Sequence, residues 1–292
     1  MTALALARRN LTVYLRDRVS LFFSKLAPLI LVILYVGFFG AMYKDSLTQG
    51  DYALPPGSAD AFVDWWLIAA LVAVTAMTTP IMGLAHMAED KASGRLADFQ
   101  VAPLRGRALM AGYVLSIFVF ACAMSIGIGV VGLVYAALQG HDLPSLPRLA
   151  SALAATAVSA LVFAAFAAMV GSFVSSNGAA SAVSTILGTF SGFLAGAYVP
   201  VGLLGSGTTS VIASLPFGQS ATLVRDLLAG EALDSMTSGA PASVNTDLRS
   251  YFGFTAEVGG WAVPAWLLWV ALAAFGAIFA AVCAARARRL RR

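Results

Sequence analysis

The sequence predicts an all-α integral membrane protein. It has six transmembrane helices, an N-terminal interfacial amphipathic helix, a cytoplasmic helix between spans 2 and 3, and a re-entrant outer hairpin between spans 5 and 6. Three observations lead there. Of 292 residues, 60% are hydrophobic and 11% charged, against about 25% charged in a soluble domain. The apolar runs reach the roughly 20 residues needed to cross a bilayer. Finally, fourteen of the eighteen Lys and Arg residues fall in three segments, 1–25, 89–107 and 286–292. A single membrane domain over 1–292 accommodates all three.

Residues 1–20 come first. Leu4, Leu11 and Leu15, with Tyr14, share one helical face, and Arg9 and Arg16 lie opposite. That pattern suits a helix in the inner membrane interface with its apolar face among the acyl chains; a plain basic tail is the alternative. The first span is expected over about 22–43, with Pro28 near its start as a site for a kink. Lys44–Asp64 reads as a polar loop, carrying Asp45, Asp51, Asp60 and Asp64 around the turn-forming Pro55-Pro56-Gly57. The second span, about 65–87, opens on Trp65-Trp66, rings expected at a headgroup interface.

The third span is expected over 109–138, and Gln139–Arg148, with Pro144 and Pro147, is a short turn. From Leu149 to Val224 no residue is charged. The run divides at Ser175-Ser176-Asn177-Gly178, giving a fourth span near 149–174 and a fifth near 179–199. The remainder of the run, Pro200–Val224, is interrupted by Pro200, Gly202, Gly205, Gly207 and Pro216 and is too short to cross and return. The hairpin assigned to 200–225 therefore dips into the outer leaflet and comes back. A last span covers about 261–284, before Arg286, Arg288, Arg289, Arg291 and Arg292.

Charge sets the orientation. The four basic residues outside the three basic segments are Lys44, Arg148, Arg225 and Arg249, and they keep company with ten of the fourteen acidic residues. The positive-inside rule puts both termini and the 89–107 loop in the cytoplasm of a multi-pass protein of the cell membrane. The number of spans must then be even, which is why Pro200–Val224 is not counted as a seventh.

The span interiors so defined hold no Asp, Glu, Lys or Arg, which argues against ion-coupled transport. Asp64 and Glu257 read as solvated groups at the outer interface. No G-x-x-x-x-G-K-[ST] phosphate loop occurs, and no catalytic constellation stands out. His86, His141, Cys122 and Cys283 make no metal cluster, and the basic residues are explained by topology without a nucleic-acid partner. The chain reads as a non-enzymatic conduit that binds no cofactor of its own. Small hydroxyls are its polar content in the spans: Thr75, Thr78 and Thr79 on the second, Ser181, Ser184 and Thr185 on the fifth. They either line a path or bond back to helical carbonyls and hold helices together. Gly188, Gly192 and Gly196 make two small-xxx-small steps that admit a close helix, within the chain or from a second copy.

The polar stretch Glu89–Arg107 is the centre of the functional reading. Leu96–Val101 can form about two helical turns with Leu96 and Phe99 on one face. Pro103 disfavours helix at Ala102. Such a helix is either a tether or a docking element. Docking is preferred here, because a conduit without an energy source needs mechanical input from a soluble partner. Leu96 and Phe99 would be its apolar anchors, and Glu89 would steady it through Arg95 or Arg105.

In its layout the chain resembles the type-2 ABC exporter permeases, the family of drug-resistance and polysaccharide-export subunits. Two local patterns carry the resemblance. One is Glu89, Ser93-Gly94-Arg95-Leu96 and Ala102-Pro103-Leu104-Arg105, similar to the family's acidic residue, small-Gly step, short helix and Pro-basic close. The other is Gly192–Arg225 with Gly196, Pro200, Leu215-Pro216-Phe217 and Leu223-Val224-Arg225, similar to the end of the family's fifth span and its outer hairpin. Val201–Ser214 departs from the pattern, being rich in Gly, Ser and Thr where the family more often has a Pro- and Trp-containing turn. The resemblance implies a coupling helix within the 89–107 loop, and export; the substrate does not follow from the fold, and a drug-like or lipid-like amphiphile is the first expectation. The resemblance also implies a second permease copy or paralogue, membrane lipid around the pair, and separate ABC ATPase subunits that bind ATP and Mg. A polysaccharide exporter and a non-transporting membrane accessory factor are the competing expectations.

Overall fold

The computed structural model describes residues 3–16, 26–48, 54–55, 57–94, 106–174 and 176–289. Helix α1 covers Ala3–Arg16. Helix α2, Leu26–Leu34, runs through a π-helical turn at Tyr35–Phe39 into α3, Gly40–Thr48. Then come α4 (Ser58–Ala92), α5 (Gly106–Leu138), α6 (Leu146–Phe173) and α7 (Asn177–Leu194). A 3-10 turn at Val201–Leu203 leads to α8 (Ser206–Ser214), α9 (Pro216–Met236) and α10 (Ala242–Tyr251). A small antiparallel hairpin, β1 (Ala256–Val258) and β2 (Trp261–Val263), precedes α11 (Ala265–Arg289). Among the described residues four helices, α4, α5, α6 and α11, are long and apolar enough to cross a membrane.

Helix α4 is the pillar. It packs against α5, α6, α7 and α9, and nearly every residue from Phe62 to Leu84 is buried. Close approach is built into the α4–α5 crossing: a Cβ on Gly83 or Gly132 would run into Ile117 or Ile68 of the opposite helix. At 1.5 Å per residue, 35 residues make a rod of about 52 Å, well beyond a hydrocarbon core of about 30 Å. Its ends must therefore leave the apolar layer, and there the chain spends its charges.

This length corrects several sequence expectations. The polar loop assigned to Lys44–Asp64 is shorter, because α3 continues to Thr48 and α4 already begins at Ser58. Trp65 and Trp66 are not interface anchors. Both are 1% exposed, and their Nε1–H groups donate to Asp142 O (3.1 Å) and Phe252 O (3.2 Å). Around Trp66 an aromatic cap closes this end, with Phe252 edge-on at 5.4 Å and Tyr43 at 5.8 Å. Phe62 completes it, edge-on to Phe252 at 5.0 Å. The irregularity of the first apolar helix falls at the π turn, where Tyr35 Oη donates to Val63 O at 2.7 Å.

Helix α1 also turns differently. Leu6, Ala7, Asn10 and Tyr14 face the protein, chiefly α5, whereas Leu4 and Leu15 of the expected apolar stripe point outward. Further along, α9 does not stop at Arg225 but continues to Met236, beyond the 200–225 bounds expected for a hairpin. Helices α8 and α9 meet at Leu215–Pro216. There Phe217 lies 4.7 Å from Phe163 of α6, and Ser220 Oγ bonds Ser159 Oγ at 2.6 Å. Helix α9 then returns to the Gly57 end of α4, where Glu231 and Asp234 line a cavity of about 780 Å³ with Asp60, His141 and Asp142. The last apolar helix begins at Ala265, because Trp261–Val263 is spent on β2.

Candidate functional site

The candidate site is the Gly94 end of α4, the foot of the 89–107 stretch. The buried face of α4 continues through Gly83, Met87 and Asp90 at helical spacing, and that spacing brings Asp90 inward. Its side chain is 7% exposed. Arg9 of α1 meets it with two parallel bonds, Nη1 to Oδ2 at 2.7 Å and Nη2 to Oδ1 at 3.1 Å. Tyr113 of α5 donates its hydroxyl to Oδ2 at 2.7 Å. The hydrogen bond from Arg9 to Asp90 raises the Arg9 pKa above its ordinary value, outweighing partial burial. A charge-assisted fork of this kind fixes both distance and angle. Asn10 extends the network: it accepts from Arg9 Nη1 (3.0 Å) and donates to Ser116 Oγ (3.4 Å). The ring of Tyr14 lies over His86 at 4.5 Å, and burial raises the Tyr14 pKa.

Lys91 points the other way. Its Nζ donates to the carbonyls of Gly171 (2.6 Å), Ser172 (3.2 Å) and Val174 (2.9 Å), at the end of α6. Arg286 of α11 adds a bond to Ser172 O at 3.3 Å and sits 4.1 Å from the centroid of the Phe173 ring. The last turn of α4 thus joins α1, α5 and α6, with α11 meeting α6 at the same point. Gly94 ends it with φ +75°, a left-handed conformation suited to glycine.

The other predicted residues are scattered. Glu89 is exposed and lies 3.9 Å from His86 Nδ1. Arg95, Leu96, Phe99, Pro103 and Arg105 lie outside the described residues. Arg16 is exposed at the end of α1. Thr75, Thr78 and Thr79 are buried within the bundle, and Thr75 and Thr78 donate to Leu71 O and Val74 O on their own helix. Ser184 donates to Ile81 O of α4 at 3.4 Å, whereas Ser181 and Thr185 are exposed on the outer face of α7. Pro200 precedes the 3-10 turn and Pro216 opens α9, both buried. Among the described residues no group of three metal-ligating side chains occurs.

At the Gly57 end, Asp64 is not a solvated interfacial group, as the sequence suggested. It is 8% exposed, with Lys44 Nζ at 3.2 Å, His141 Nε2 at 3.0 Å and a hydrogen bond from Tyr135 at 3.2 Å. Because α4 already begins at Ser58, Asp64 lies inside the helix and within the bundle, where polar and charged partners replace water. Glu257 is half-buried and accepts from Ser250 at 2.9 Å. Sequence reasoning also passed over Asp90 and Lys91. The available signal was the continuation of the buried spacing from Leu84 and Met87 into the charged run.

The profile of the family described as ABC-2 family transporter protein matches residues 48–285, from the end of α3 into α11. The chain belongs to that family. No curated protein matches it. The family is one of transport membrane subunits that work with an ABC ATPase and are not themselves catalytic. The matched region contains the whole of α4 and the charged segment after it.

Proposed function

We propose that the chain is the membrane permease of an ATP-driven exporter that moves a lipid-like or drug-like amphiphile out of the cytoplasm or inner leaflet. ATP is hydrolysed on separate ABC ATPase subunits. In this reading α2–α3, α4, α5, α6, α7 and α11 are the six spans, and α8–α9 is a hairpin that enters and leaves on the outer side. The helix expected around Leu96–Val101, within the 89–107 loop, is the coupling helix, seated on the ATPase through Leu96 and Phe99. A second permease copy packs against the faces left open, including Ile186 and Phe190 of α7 beside the uncovered Gly188.

One observation carries the orientation. The basic helix α1, the foot of the charged loop and the basic end of α11 converge at the Gly94 end of α4, through Arg9–Asp90, Lys91 and Arg286. The acidic residues Asp60, Asp142, Glu231 and Asp234 gather around one cavity at the opposite end. A single bundle with basic and acidic ends is what the positive-inside rule asks of a protein with both termini in the cytoplasm.

Two measurements test the proposal. Single cysteines introduced at Gly94 and Ser243, in a background lacking Cys122 and Cys283, should label with an impermeant reagent from the cytoplasmic and outer side respectively. Purification with an ABC ATPase should yield a complex with vanadate-sensitive ATP hydrolysis faster than that of the ATPase alone. Labelling of the Ser243 position from the cytoplasm overturns the six-span reading, and a permease that neither binds nor stimulates an ATPase is an accessory factor.

A further inference from the structure

The last carbonyls of a helix lack intrahelical donors and carry the negative end of its dipole. At the end of α6 these carbonyls are taken up by Lys91, whose three hydrogen bonds go to Gly171 O, Ser172 O and Val174 O. The donor comes from another helix, and from its final turn: Lys91 lies three residues before Gly94, where α4 gives way to the charged loop. On the acceptor side, the connection from α6 to α7 is short. Val174 closes α6, and Ser176 caps α7 by accepting from Ala179 N at 3.2 Å. No carboxylate pairs with Lys91 among the described residues, so its charge is balanced by these backbone dipoles. Arg286 supplies one bond there, to Ser172 O.

We infer that Lys91 is the positioning residue that carries movement of the coupling segment into the α6–α7 turn, and so into α7. The inference rests on the export reading. A cation holding three carbonyls of one turn cannot shift without dragging that turn or leaving the carbonyls unpaired. Asp90, its neighbour in sequence, holds α1 and α5 by its own bonds. Adjacent side chains in one helical turn thus divide the load, Asp90 to the N-terminal helix and Lys91 to the α6–α7 pair. Lys91 is suited to this task because three rotatable donors on a flexible stem follow a moving set of acceptors better than a planar fork does.

The test uses the full chain with its bound ATPase in proteoliposomes. Cys122 and Cys283 are replaced by Ser, and Asn177→Cys supplies one maleimide target at the start of α7. Labelling is compared with and without vanadate trapping of nucleotide, scored only on complexes that have trapped it. With Lys91 present, trapping should change the labelling rate by about fivefold or more, the lower end of ordinary allosteric couplings. Lys91→Met should abolish that change and Lys91→Arg should restore most of it. A cap with no role beyond holding α6 would lower the yield of folded protein without removing the nucleotide response. If Lys91→Met fails to insert, Lys91→Leu, which likewise has no donor, is read in the same way. Retention of the full response in Lys91→Met or Lys91→Leu overturns the inference. So does a Lys91-containing complex that traps nucleotide without any response at Asn177→Cys. If no ATPase binds the parent chain, the export reading itself has failed, a result separate from both.

Discussion

The two ends of α4 solve the same problem with different materials. Each buries one carboxylate, Asp64 at one end and Asp90 at the other, and each surrounds it with a cation and a tyrosine. At the Gly57 end that cluster sits beside a cap of rings, Trp66, Phe62, Phe252 and Tyr43, in mutual contact at 5.0–6.0 Å. At the Gly94 end the helices α1, α6 and α11 are tied by the long side chains Arg9, Lys91 and Arg286. Packed rings resist displacement, because any gap forfeits contacts over a large area. Long charged stems pivot and keep their bonds. In the proposed export mechanism the Gly57 end serves as the fixed point and the Gly94 end as the joint.

The largest expected effect lies at the fixed point. Trp66→Ala should destabilise the protein by about 3–5 kcal/mol, the usual result of emptying an aromatic site in a packed core. Thermal unfolding in detergent would register this as a large loss of melting temperature. Asp90→Asn should cost less, about 1–2 kcal/mol, because the Arg9 side chain left behind keeps 30% exposure and part of its hydration. Its stronger signature should be release of α1, read as faster proteolysis at the N-terminus. Equal losses from the two variants would erase the distinction between cap and joint.

A smaller effect separates the hydroxyls. Thr78→Val removes a donor whose acceptor, Val74 O, belongs to its own helix, so the change should stay under about 1 kcal/mol and leave transport near wild type. Loss of transport with stability intact would move Thr78 from helix packing to the pathway.

The sequence carried the helical membrane class of the fold and the four long apolar helices α4, α5, α6 and α11, because twenty-residue apolar runs are a direct consequence of a bilayer. It misjudged the ends of α4 for one physical reason. Asp60, Asp64 and Asp90 look like markers of water when read along the chain, yet polar partners of Asp64 and Asp90 lie far away in sequence, as in Tyr135–Asp64 and Arg9–Asp90. A helix that has such partners continues through its charges. Trp65 and Trp66 misled in the same way, since rings suited to a headgroup interface also suit a buried cap whose carbonyls accept their N–H groups. The orientation of α1 was illegible because Leu6 and Asn10 gain their burial from α5, about a hundred residues downstream by the Asn10–Ser116 pairing.

The central claim is that the segment beyond the Gly94 joint receives force from a soluble ATPase, and Phe99→Asp tests it most directly. The substitution puts a charge on the expected anchor face of a polar stretch that lies between two apolar runs, so insertion and permease dimerisation should be unaffected. The expected result is loss of ATPase binding, or binding with the stimulated hydrolysis and transport abolished. A Phe99→Asp protein that holds its ATPase at normal occupancy and transports at the wild-type rate would contradict the claim and leave residues 89–107 as a tether.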